Sequence, residues 1–165
     1  MKTTPMLGGD PGTAQTVAQM KSLVNQSLTD PVVVQTARGL AAQTMPRDVD
    51  SQAEAIKSYL SEHFLFVRDP GGVELLSTPR FMLDSINNRM YAQGDCDEAA
   101  ILAAALGKAI GLRARFILLG FSGPTGPLAH VFTLLRGRSS WHNLDVTRSS
   151  VGFIPPASRV QEVEV

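Results

Sequence analysis

The chain carries one cysteine and three histidines among 165 residues, and these side chains are the ones able to serve as nucleophile and base near neutral pH. Cys96 stands in Gly94-Asp95-Cys96-Asp97-Glu98, at the head of an alanine-rich run. A helix N-terminus favours an anion there, through its unpaired N–H groups and its dipole, and the thiolate rather than the thiol is the attacking species. Asp95 is a natural N-cap. Asp97 and Glu98 suit the first turn but oppose a thiolate, so the chemistry asks for a cation beside the sulfur. An imidazole supplies both that charge and a base, provided an acceptor fixes its tautomer. The competing reading of a lone cysteine is a small buried hydrophobe.

His63, His130 and His142 compete for the role of base. His63 ends a helical stretch, where a cation merely complements the dipole. Strand alternation separates the other two, because Trp141, Asn143 and Asp145 share one face and His142 and Leu144 the other. A two-residue hairpin loop at Gly137-Arg138 sets His130 opposite Asp145. A four-residue loop over 137–140 sets His130 opposite Thr147, with Asp145 as its diagonal neighbour on the same face. A three-residue loop would put His130 and Asp145 on opposite faces. The candidate constellation is therefore Cys96 as nucleophile, His130 as base and Asp145 as orienter, with His142 off the site.

These residues need a scaffold. The run from Asp97 through Ile110 holds strong helix formers and stops at Gly111, a good residue just past a helix end. Ala99, Ala100, Ala103 and Gly107 recur at helical steps from Cys96, so one narrow face can approach another element closely. Asp10-Pro11, Asp30-Pro31 and Thr78-Pro79 each place a cap before proline, which predicts helices near 11–28, 31–43 and 79–87. Asp50 caps a further helix ending at His63. Their apolar stripes are Val17, Met20, Val24 and Leu28, then Val33, Ala37, Leu40 and Ala41, then Ala53, Ile56, Leu60 and Phe64. Short strands are expected at Phe64–Arg68, closed by a turn at Asp69-Pro70-Gly71-Gly72, and at Val73–Leu76. After Gly111 the period turns extended, giving a three-strand antiparallel meander over 113–119, 130–136 and 141–146. The class is α+β, with N-terminal helices and a central cysteine-bearing helix packed on a small antiparallel sheet.

Fifteen Lys and Arg balance fifteen Asp and Glu, and no basic patch is visible, so neither nucleic acid nor a membrane surface is an expected partner. With 44% hydrophobic residues the chain reads as one globular domain. It divides into a tail over 1–10, a helical region over 11–63, a core over 64–150 and an extension over 151–165. One cysteine excludes an internal disulfide and a multi-cysteine zinc site, and neither metal nor cofactor is expected. No signal-peptide pattern or membrane-spanning run is visible.

From Phe64 to Thr147 the chain resembles the transglutaminase-like branch of the papain-like cysteine superfamily. The likeness lies in Gly94-Asp95-Cys96-Asp97 opening a helix that ends in 111–115, in Ala129-His130-Val131-Phe132, and in Trp141-His142-Asn143-Leu144-Asp145-Val146-Thr147. The string from Arg68 to Pro79 and Gly126-Pro127-Leu128 are similar to the small members found in tailed bacteriophages and prophages. The resemblance implies Cys96 as nucleophile, His130 as general base and Asp145 as its orienter. It implies thiol attack on an amide or isopeptide carbonyl of a protein or peptide substrate, hydrolysis ahead of cross-linking, in the bacterial cytoplasm or a phage particle. Many members add an aromatic residue or glutamine upstream to complete the oxyanion hole; Tyr91 and Gln93 stand as candidates. Phe132 stands where relatives often carry tryptophan.

A second function follows from the same likeness, a structural component of a phage particle that keeps the fold without catalysis. The polar tail Met1–Gly9 and the Val160–Val165 alternation, able to add as an edge strand to another chain, are then its attachment points to phage structural proteins. A peptidoglycan-directed amidase would share the chemistry, but no wall-binding segment is visible.

Overall fold

The computed structural model describes residues 2–4, 9–69, 74–147 and 156–165. The chain runs through β1 (Lys2–Thr4), α1 (Gly9–Ser27), α2 (Pro31–Ala42), α3 (Val49–His63), β2 (Phe64–Phe66) and β3 (Glu74–Leu76). It continues through α4 (Pro79–Arg89), β4 (Ala92–Gly94), α5 (Cys96–Ala109), β5 (Ala114–Gly120), β6 (Leu128–Arg136), β7 (Trp141–Asn143) and β8 (Arg159–Glu164). The fold is mixed α+β with small sheets. The expected turn at Pro70-Gly71-Gly72 and residues 151–155 of the C-terminal extension lie outside the described residues.

The cap-and-proline device works as read at two helices. Asp30 accepts the Val32 N–H at 2.8 Å to open α2, and Thr78 Oγ1 accepts that of Phe81 at 3.2 Å to open α4. At α3 the cap is Asp48, not Asp50: Asp48 accepts both the Ser51 N–H at 3.2 Å and the Ser51 hydroxyl at 2.6 Å, and the helix begins at Val49. The three apolar stripes, apart from the half-buried Leu28 and Ala41 at their ends, are buried together in one cluster with α4, α5 and the inner face of β5 and β6.

α5 is the centre of that cluster. From Glu98 to Gly107 it is buried on every side, because α1, α2 and α3 cover it from one side and β6 from the other. The narrow face does what its small residues allow. A Cβ added at Gly107 would lie 2.7 Å from Leu135 Cδ1 of β6, closer than real side chains come. Further toward the N-terminus, Thr133 Oγ1 donates to the Ala100 carbonyl at 2.7 Å, so the sheet is tied to α5 by a hydrogen bond as well as by packing.

The main sheet has four strands in the order β7-β6-β5-β8, one more than the meander expected from the sequence. The added strand is the C-terminal one. β8 pairs antiparallel with β5 from Arg115↔Glu164 to Gly120↔Arg159, so Val160–Val165 completes this chain's own sheet instead of standing free for another chain. Arg115 fixes it, with Nε 2.5 Å from Glu164 Oε1 and Nη1 3.1 Å from Glu162 Oε2. The N-terminal end differs likewise: Lys2–Thr4 pairs antiparallel with β3, and α1 is already under way at Gly9. β2 and β4 form a separate parallel pair, Phe64↔Ala92 to Phe66↔Gly94, which leads straight into Asp95 and Cys96.

Candidate active site

Cys96 is the first residue of α5, behind a full capping box. Asp95 Oδ1 accepts the Asp97 N–H at 2.9 Å, and Glu98 Oε2 reaches back to the Asp95 N–H at 3.1 Å. The half-buried thiol donates to Asp97 Oδ1 at 3.5 Å and accepts the backbone N–H of Val131 on β6. Burial pushes the thiol well above its ordinary value, the charges of Asp97 and Asp95 push it the same way, and the Val131 N–H opposes them. The resting sulfur is therefore a neutral thiol, and any reaction must remove its proton on demand.

His130 sits one residue before that N–H donor, beside a β-bulge. Leu119 pairs with His130 and Gly120 with Leu128, so Ala129 is an extra residue in β6 and re-aims the strand start. The hairpin adopts the four-residue alternative, Arg136↔Trp141 with 137–140 as its loop. Asp145 lies just beyond β7 and still reaches His130, Nε2 to Oδ2 at 2.8 Å. Both side chains are nearly inaccessible, 6% and 4% exposed. Burial alone would raise the Asp145 carboxyl, but the hydrogen bond and charge of His130 and the donors of Thr147 hold it below the usual range. An ionised Asp145 places the imidazole hydrogen on Nε2, which leaves Nδ1 as the basic nitrogen.

Cys96 and His130 line the same cleft of about 190 Å³, walled on its other side by Thr13, Thr16 and Met20 of α1. Among the described residues no hydrogen bond joins the sulfur to the imidazole; the sulfur is held by Asp97 and Val131 instead. Catalytic hydrogen bonds of this kind are often long before substrate arrives. Tyr91 and Gln93, the oxyanion candidates, line a neighbouring cavity with Glu98 and not the cleft of the sulfur, because β4, which holds Gln93 and follows Tyr91, pairs with β2 and not with the main sheet.

The other histidines are elsewhere. His142 bonds Asp50 through Nε2 at 2.6 Å and Glu54 through Nδ1 at 2.9 Å, which fastens β7 to α3 and raises its pKa through those same partners. His63 Nδ1 meets the Met90 carbonyl at 2.9 Å. Among the described residues two groups have metal-ligand spacing, Asp95 with Cys96 and Asp97, and Asp69 with Asp95 and Glu98. Their oxygens already serve backbone donors: Asp95 takes the N–H of Asp97, Asp69 that of Leu75, and Glu98 those of Ser77 and Asp95.

Two residues have roles beside the site that the sequence reading did not assign. Thr147, 1% exposed, donates to Asp145 Oδ1 from its hydroxyl at 3.2 Å and its N–H at 3.3 Å, turning Oδ2 toward His130. The signal was the Asp-x-Thr spacing, a local turn motif. Thr147→Val keeps the shape and removes one donor to a charged oxygen. The expected cost is about 1–3 kcal/mol of stability in denaturant unfolding, with the Asp145 carboxyl titrating higher by NMR.

The second is Glu98, 2% exposed, whose Oε1 also accepts the Ser77 N–H at 3.0 Å. Burial comes first, and with the charge of Asp95 it outweighs these donors and pushes the carboxyl up to about 8. Its signal was the Asp-x-x-Glu box of Asp95 and Glu98. The folded chain thus holds a proton that the unfolded chain releases near pH 4.5. Stability must fall as pH rises from there through about 8, since the native state binds more protons in that window. Melting temperatures are expected to be lower at about pH 8.5 than at about pH 5.5, and Glu98→Gln should flatten the difference.

Comparison with protein-family models, with curated proteins and with solved structures returned no match to this chain. Among the described residues no helix is long and apolar enough to cross a membrane.

Proposed function

We propose that this protein is a cysteine-dependent acyl-transfer enzyme of the transglutaminase-like type, acting on an amide or isopeptide bond and passing the acyl group to water. The observation that carries the reading is the buried His130–Asp145 pair, 2.8 Å apart, whose His130 lines the cleft that holds Cys96. His130 takes the thiol proton on Nδ1 as the sulfur attacks the carbonyl carbon. Asp145 steadies the imidazolium so formed. The imidazolium then gives its proton to the departing amine, and a thioester on Cys96 remains. Water, deprotonated by the same nitrogen, hydrolyses the thioester and restores the thiol. A neutral resting thiol suits this order, because the base is needed only at the moment of attack.

A non-catalytic component of a phage particle is the second reading. What favours it is the sulfur's own bonding: the thiol is held by Asp97 and pushed toward its neutral form. The experiment is a panel of peptide, glutamine-amide and lysine-isopeptide substrates, followed by amine release and by mass spectrometry of the intact protein. The enzyme reading expects release that vanishes in Cys96→Ala, with an acyl adduct on Cys96 when hydrolysis is slowed. Release at equal rates from both proteins, or none from any substrate, would favour the second reading.

A further inference from the structure

The described residues include seven large apolar side chains with substantial exposure, and five of them fall in two short stretches: Leu65 and Val67 at β2, and Phe81, Met90 and Tyr91 on or just after α4. Val67, Phe81 and Tyr91 line one cavity of about 340 Å³, and Leu65 and Met90 are near neighbours of these residues in the sequence. Met90 is notable for its backbone. It closes α4 in the left-handed conformation at φ 72°, where glycine is the ordinary choice, and its side chain is 70% exposed. A long apolar side chain kept at such a position adds nothing to the core. Apolar surface gathered in this way around a concavity marks a binding face.

Charge decides what binds. Arg68 and Arg89 also line the cavity, and among the described residues neither is bonded to a carboxylate. Arg80 and Arg115 are each paired with two, and Arg113 with one. Two carboxyl groups share the cavity, but both are turned to the backbone. Asp69 accepts the Leu75 N–H at 2.5 Å, and Glu98 accepts those of Ser77 and Asp95. The excess charge facing outward is positive.

The shape favours a chain over a small molecule. β2 and β4 pair with each other, and among the described residues neither has a second strand beside it, so main-chain donors and acceptors stand next to the apolar rim. We propose that the groove between β2–β4 and α4 binds an extended segment of a partner protein in which acidic and apolar residues alternate, its carboxylates held by Arg68 and Arg89. Gly94 and Glu98 line the groove, and Cys96 between them does not. Occupancy of the groove does not depend on chemistry at the sulfur.

The test is fluorescence anisotropy on the full chain, with a fluorescein-labelled octapeptide alternating valine and glutamate and a second alternating valine and lysine. The glutamate peptide is expected to bind at least about tenfold more tightly than the lysine peptide. Arg68→Glu with Arg89→Glu should reverse that order, Phe81→Ser should weaken binding of the glutamate peptide, and Cys96→Ala should leave it unchanged. These positions are exposed, and thermal melts will show that the variants remain folded. Equal affinity for the two peptides, no binding to the wild type, or a glutamate-peptide affinity untouched by the double substitution would overturn the proposal. None of those results bears on turnover, so a failure here and a failure of the enzyme reading remain separate.

Discussion

Cys96→Ala is expected to abolish thiol-dependent turnover while moving the melting temperature by only a few degrees. The residue is small and half-buried at the first position of α5, and its sulfur makes one long bond to Asp97 and accepts one backbone N–H. Losing it leaves little cavity, so the usual cost of core truncation does not apply. The capping box that starts the helix belongs to Asp95 and Glu98 and is untouched. The chemistry has no substitute, because no other cysteine exists in the chain. Asp145→Asn should be nearly as damaging to turnover, on the order of 10⁴-fold, since an amide in that place can stabilise the wrong imidazole tautomer. Activity assays beside calorimetry separate the two effects. Several kcal/mol of lost stability in Cys96→Ala would instead mark the cysteine as a packing residue.

The second large effect concerns the end of the chain. Removal of residues 158–165 is expected to cost several kcal/mol and on the order of 10 °C in Tm, and to make the protein self-associate. β5 would lose its pairing with β8 along the whole of Ala114–Gly120, including the Ser158 N–H to Gly120 bond at 2.9 Å and the Val165 N–H to Ala114 bond at 3.1 Å. Arg115 would lose both carboxylates. The bared edge of β5 is then a template for another strand. Size-exclusion chromatography with thermal melts reads both consequences. A truncated chain that stays monomeric with an unchanged Tm would make β8 a detachable arm, as the assembly reading had it.

That strand shows where the sequence was legible and where it was not. Helices announce themselves locally, through Asp30-Pro31, Thr78-Pro79 and stripes at helical spacing, and those readings hold to within a few residues. The narrow face of α5 was also readable, because only small residues permit the approach that Gly107 makes to Leu135. Strand partners are set by long-range pairing. Nothing in Val160–Val165 states that its neighbour is β5 of the same chain, and the alternation fits either outcome. The cap of α3 slipped from Asp50 to Asp48 because two aspartates compete and the Ser51 hydroxyl selects one.

At the site, parity arguments brought His130 and Asp145 together, and the register is one of the two loop lengths that allow it. They could not show that Ala129 forms a bulge, that Thr147 holds the far oxygen of Asp145, or that the sulfur bonds to the backbone of Val131. Nor could they place Tyr91 and Gln93, whose position depends on the parallel pairing of β4 with β2.

The central claim is that His130, oriented by Asp145, draws the proton from a Cys96 thiol that burial and two aspartates keep neutral. Its most direct measurement is the rate of iodoacetamide alkylation of the intact protein between about pH 6 and pH 10, for the wild type and for His130→Gln. Without the imidazole, reactivity should appear only well above the ordinary thiol range of about 8.5, as the thiolate forms unaided. With it, the wild type should react at least about tenfold faster near pH 7, and the two curves should converge at high pH. Superimposable curves across the whole range, or a wild-type thiol that iodoacetamide never reaches, would contradict the account.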